Sequence, residues 1–152
     1  MTYAVQMDNY LPDPITQPEF YADVPTKRLV AWIFDLVVIL ALSAIIVVFT
    51  AFVGLFFFGF LMLVTGFIYR TVTLATGSAT FGMRLVSIEF RDRNGRRFDF
   101  GQAFLHTLGY HLSFSIFPAQ IVSIVLMLTS SRSQGLTDHF MGSVAINRAA
   151  KY

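Results

Sequence analysis

Residues 29–69 form an apolar run in which Asp35 is the one charged side chain. A helix needs about 20 residues to span the hydrocarbon core of a bilayer, so this run is long enough for two crossings joined by a tight turn. Spans are expected at about residues 29–49 and 55–74, with the turn near Gly54. Residues 1–24 carry Asp8, Asp13, Glu19 and Asp23 but neither Lys nor Arg. That is the reverse of the positive leader of a secretory signal peptide, so the run reads as a resident membrane segment. The arm 1–24 also contains Pro12, Pro14 and Pro18 without apolar periodicity, and reads as a flexible acidic segment preceding a membrane domain over 25–148 and a short tail at 149–152.

Composition supports this reading. Of 152 residues, 55% are hydrophobic and 13% charged, well below the ~25% charged of ordinary soluble domains. The absence of cysteine excludes disulfide scaffolds, thiolate metal sites, cysteine nucleophiles and iron–sulfur clusters.

A third uncharged stretch, 101–131, contains Pro118 within a Ser113-Phe-Ser115-Ile-Phe-Pro118 segment. Proline removes a helix hydrogen bond and clashes with the preceding turn, so a break is expected within a hydrophobic helical segment over about 102–130. Either one bent helix crosses and exports the C-terminus, or two half-helices enter and return. The positive-inside rule favours return, because all 11 basic residues then lie on the cytoplasmic face with both termini.

Between the second and third apolar segments, Val86, Ile88 and Phe90 alternate with Leu85, Ser87, Glu89 and Arg91. Asn94-Gly95 is a hairpin turn signal, after which Phe98 and Phe100 resume the alternation. The expectation is an amphipathic β-hairpin over about 84–100 at the cytoplasmic surface. Arg84, Arg91, Arg93, Arg96 and Arg97 would form a basic patch on an anionic leaflet, each worth about 1 kcal/mol. Residues 142–146 are a candidate third strand if the tail is cytoplasmic.

Asp35 carries the most functional information. At ~1.5 Å per residue it lies about 10 Å along the helix from Arg28, on the same face. An aspartate at membrane depth costs roughly 2.5–3.5 kcal/mol, so it requires a partner, a watery cavity or a proton. It is therefore either an ion or proton site or a polar contact that fixes helix packing. Trp32 and Tyr69 fit an interfacial aromatic belt. Gly59 and Gly66 suit close helix packing. His106 and His111 are about 140° apart around a helix, so they do not converge on one metal, and no metal or cofactor is expected. No phosphate loop, dinucleotide fingerprint or nucleophile elbow occurs, and nucleic acid is not an expected partner beside membrane spans.

Three separated segments carry a resemblance. Arg28-Leu-Val-Ala-Trp-Ile-Phe-Asp35 resembles the opening of the RDD membrane-protein family, named for one arginine and two aspartates. Gly77-Ser-Ala-Thr80-Phe-Gly82-Met-Arg84-Leu-Val86 resembles the family's small-residue approach to a strand. Arg132-Ser-Gln134-Gly-Leu136-Thr-Asp138-His139-Phe-Met-Gly142-Ser143-Val144 resembles its closing signature, so the second aspartate falls on Asp138. Where members often carry an arginine opening the third apolar segment, this chain has His106, a titratable group in place of a fixed charge. The resemblance implies a link to transport, some members having been proposed as cation/proton exchangers and others found as domains of membrane complexes.

Three functional classes follow. The first is a non-enzymatic accessory or assembly module of a membrane complex in the inner membrane, with Arg28, Asp35 and Asp138 as a polar latch and other membrane proteins or further copies as partners. The second is a direct monovalent cation/proton exchanger that uses Asp35, with His106 as a relay. The third is a lipid- or quinone-binding subunit, compatible with 17 phenylalanines.

Overall fold

The computed structural model describes residues 11–148. Residues 1–10 of the arm and the tail 149–152 lie outside them. Helix α1 spans Val24–Phe49 and begins after Asp23, whose left-handed φ turns the chain into it, with Pro25 in the first turn where no amide partner is lost. It is longer than expected, taking in Lys27 and Arg28 as part of the helix. Left-handed Ala51 and Phe52 and a 3-10 turn at Val53–Phe57 reverse the chain into α2, Phe58–Gly77. Both segments containing these helices are long and apolar enough to cross a membrane.

The third apolar segment is broken where the sequence placed Pro118. Helix α4 (Phe100–Ser115) and helix α5 (Phe117–Thr129) meet at Ile116 with a bend of 116°. Pro118 sits in the first turn of α5, a position that tolerates its missing N–H. Helix α4 starts at a capping box in which the Asp99 side chain accepts from the Gln102 amide and the Gln102 side chain accepts from the Asp99 amide. It packs mainly along α2. Beyond α5 the chain turns into the short helix α6, Leu136–Met141, and strand β2, Val144–Asn147.

The β element differs from the expected hairpin. Residues Phe81–Leu85 form a short helix, α3, and β1 is Ile88–Arg91. Its partner is β2, antiparallel, with Ile88 opposite Asn147 and Arg91 opposite Val144. The Asn94-Gly95 turn does form, with the Asp92 amide bonded to the Arg96 carbonyl. Past it, however, Phe98 stacks on Phe90 as a core side chain and its amide bonds to Ser78 Oγ, so 98–100 never reaches ladder register. A local turn signal cannot compete with a distant strand whose four residues are all buried.

Residues 11–23 also differ from the expected mobile arm. Leu11, Phe20 and Tyr21 pack with Val144 and Ile146, and Asn147 donates to the carbonyls of Glu19 and Ala22. The larger apolar core joins Val24 and Ala31 of α1 to Leu74, Met83, Ile88, Phe90 and Phe98, so it lies where α1 begins and α2 ends. Elsewhere the usual layering is reversed. Val37, Phe60 and Leu128 are exposed, while Asp35, Ser43, Arg70, His106 and Thr107 are buried. Polar inside and apolar outside is the arrangement suited to hydrocarbon as solvent.

Candidate functional site

Two buried carboxylates organise this end of the molecule, and they are separate. Asp35, 2% exposed on α1, accepts three hydrogen bonds from neutral groups. Tyr69 Oη (2.6 Å) and the Gly82 amide (2.9 Å) donate to Oδ1, and Thr80 Oγ1 (2.6 Å) donates to Oδ2. Thr80 Oγ1 also accepts from the Met83 amide and caps α3, while Tyr69 Oη accepts from the Phe81 amide. The carboxylate thus ties α1 to both α2 and α3.

This close approach depends on Gly82. A Cβ there would lie 2.2 Å from the Ala31 carbonyl oxygen, so only glycine lets the two backbones come near enough for the amide to reach Asp35.

Asp138, on α6, holds the second knot. Its Oδ2 accepts from Arg28 Nη1 (2.6 Å) and the Gly135 amide (3.0 Å), and its Oδ1 from Ser143 Oγ (2.9 Å). His106 Nε2 lies 2.8 Å from the same Oδ1, placing a proton on Nε2 in the arrangement that satisfies the carboxylate. Arg28 also approaches the Ser133 carbonyl and lies over the Phe90 ring. Burial works to raise the pKa of Asp138. The Arg28 charge and the His106 and Arg28 hydrogen bonds outweigh it and hold the carboxyl below its ordinary range.

Of the three residues grouped by sequence, the structure therefore brings Arg28 and Asp138 together and leaves Asp35 apart. Sharing a helix face did not bring Arg28 to Asp35, because the guanidinium turns towards α6 and the carboxylate towards α2 and α3. The expected relay, His106, faces Asp138 and makes no hydrogen bond to Asp35. The missed residues are Tyr69, taken for a belt aromatic, Thr80 and Gly82, and Arg70, counted only as a cytoplasmic charge. A tyrosine hydroxyl at the far end of an apolar span, needing a partner, was the available signal for Tyr69.

The expected basic patch is largely tied up. Arg84 lies on α3, outside the sheet, and donates to the Thr73 carbonyl near the end of α2 and to the Ala79 carbonyl just beyond it. Arg93 donates to the Met141 carbonyl. Arg91, Arg97 and Arg148 converge on buried Glu89, which the sequence had placed on the polar face of a strand. Arg96 has no side-chain partner among the described residues. No group of His, Cys, Asp and Glu suited to a metal ion occurs among them either.

A cavity of about 460 Å³ opens between α1, α4 and α5, lined by Arg28, Asp35, Arg70, His106 and Asp138 among others. Its volume lies in the roughly 300–1,000 Å³ range of small-molecule sites.

No curated protein and no solved structure matches the chain. Residues 23–142 match the sequence model of the RDD family, a stretch that contains Arg28, Asp35, Asp138 and every group bonded to the two aspartates apart from Ser143. On that match over most of its length, the chain belongs to the RDD family.

Proposed function

We propose that this chain is a non-enzymatic accessory module of a membrane complex or transport system, its two carboxylate knots holding a rigid scaffold for partner proteins. The observation that carries this reading is the engagement of both Asp35 oxygens by three donors from its own chain. A carboxylate that cycles between proton and cation needs vacant coordination sites, whereas this one, although it lines the cavity, spends most of its acceptor capacity tying three helices together. The Arg28–Asp138 pair gives the same support at the other knot, closing α6 and β2 onto the start of α1.

In this reading the protein is a multi-pass component of a bacterial-type inner membrane with both termini cytoplasmic. The bend between α4 and α5, and the cavity that residues of α5 line together with Pro25, Arg28 and Leu29 at the start of α1, support that topology, and the exposed Arg96 would face the anionic leaflet. Asp35→Asn tests it. The scaffold role expects reduced accumulation in the membrane and loss of co-purifying proteins in mild detergent, with no pH-driven monovalent cation flux in wild-type vesicles. Wild-type flux that Asp35→Asn abolishes at normal accumulation would replace this reading with the cation/proton exchanger.

A further inference from the structure

Arg70 takes part in neither knot. It lies on α2, 8% exposed, with Nε buried and, among the described residues, unpartnered and with no carboxylate oxygen within ion-pair distance. Its guanidinium stacks 4.0 Å over the Tyr110 ring, and Tyr110 is itself fixed by a 2.7 Å bond from Trp32 Nε1. Stacking orients this cation without neutralising it.

The cation lines the 460 Å³ cavity. Asp35 lies on the same wall but already accepts three hydrogen bonds, and Asp138 is engaged by Arg28, His106, Ser143 and Gly135. His106 Nδ1 also has no hydrogen-bond partner among the described residues. Asp35 shares the cavity, but among the described residues no carboxylate oxygen lies within ion-pair distance of the guanidinium, and a buried cation with no direct anionic acceptor is costly in a low-dielectric setting, so an anionic group seated on Arg70 is favoured.

The cavity's outer wall identifies the kind of anion. It is formed by Leu29, Phe114, Ile124, Met127 and Leu128, of which Leu29 and Leu128 are largely exposed on the apolar exterior. Such a mouth admits a hydrocarbon chain more readily than a hydrated ion. We propose that this cavity binds a chain-bearing amphiphile with an anionic phosphate or carboxylate head. Arg70 is the headgroup ligand, and the chain leaves past Ile124, Met127 and Leu128. The site stands independently of the scaffold reading.

The test is native mass spectrometry of the full chain in a neutral detergent, titrated with dipalmitoyl phosphatidylglycerol, palmitate, dipalmitoyl phosphatidylcholine and inorganic phosphate. Phosphatidylglycerol or palmitate should be retained roughly tenfold more tightly than phosphatidylcholine, the better of the two naming the source of the head. Arg70→Gln should abolish that preference, and Arg70→Lys should keep most of it. Met127→Trp, which fills the mouth without touching the charge, should lower retention of the anionic ligand roughly tenfold and serves if Arg70→Gln does not fold. Equal retention of phosphatidylcholine, binding of inorganic phosphate as tight as that of the amphiphiles, or unchanged retention in both Arg70→Gln and Met127→Trp would overturn the proposal.

Discussion

Substituting Gly82 by alanine probes the Asp35 knot without altering any polar group. The new Cβ would stand 2.2 Å from the Ala31 oxygen and 2.9 Å from its Cα and carbonyl carbon. All three are backbone atoms of α1, so no side chain can swing aside. The helices must part by about 0.8 Å before the closest contact reaches 3.0 Å, the least that a real Cβ tolerates. That shift lengthens the 2.9 Å bond from the Gly82 amide to Asp35 towards about 3.7 Å, beyond the reach of an N–H···O bond. Overpacking costs about 1–3 kcal/mol, and loss of a hydrogen bond to a charged group about 1.5–3 kcal/mol. A total near 3–5 kcal/mol is therefore expected. Thermal unfolding in detergent, followed by fluorescence of Trp32, the chain's one tryptophan, reads it. Gly59→Ala is the control, since its Cβ meets nothing within 4 Å, and it should be neutral or stabilising by up to ~1 kcal/mol. Equal melting temperatures for Gly82→Ala and Gly59→Ala would refute the reasoning.

Other perturbations separate the two knots. Arg28→Ala leaves Asp138 buried without its cation and should cost about 3–5 kcal/mol, with proteolysis of the C-terminal segment as a second measurement. Arg28→Lys should recover only part, because a shorter side chain ending in an ammonium loses the planar guanidinium's contact over the Phe90 ring. Asp138 also sets a pH dependence. Its folded pKa is depressed, so its stabilisation is present above its ordinary value of 3.8 and drains away as the pH falls below that. Wild-type melting temperature should drop through this acid range more steeply than that of Asp138→Asn, and parallel curves would count against the knot. Tyr69→Phe removes one donor to Asp35 and should cost about 1–3 kcal/mol in the same unfolding assay.

Much of the architecture was legible. Hydropathy located the two long helices, Pro118 located the break, and the family motifs singled out Arg28, Asp35 and Asp138. The β element was read with the right first strand and with a strand at 142–146, which forms as β2, but the hairpin partner expected at 98–100 does not form. Alternation identifies a strand but carries no information about what pairs with it across fifty-odd residues of intervening helix. Asp35 was rightly read as needing polar company, yet its company came from Tyr69, Thr80 and Gly82 rather than Arg28.

Chain order and chemistry suffice to say where apolar helices run, where they end, and which charges require compensation. Those properties depend on a residue and its near neighbours. Which donor answers which carboxylate, and that Arg70 is left facing a cavity, depend on how α2, α3, α4 and α6 rotate and approach around α1. That geometry is fixed by packing between segments far apart along the chain, as the bare backbone contact at Gly82 illustrates.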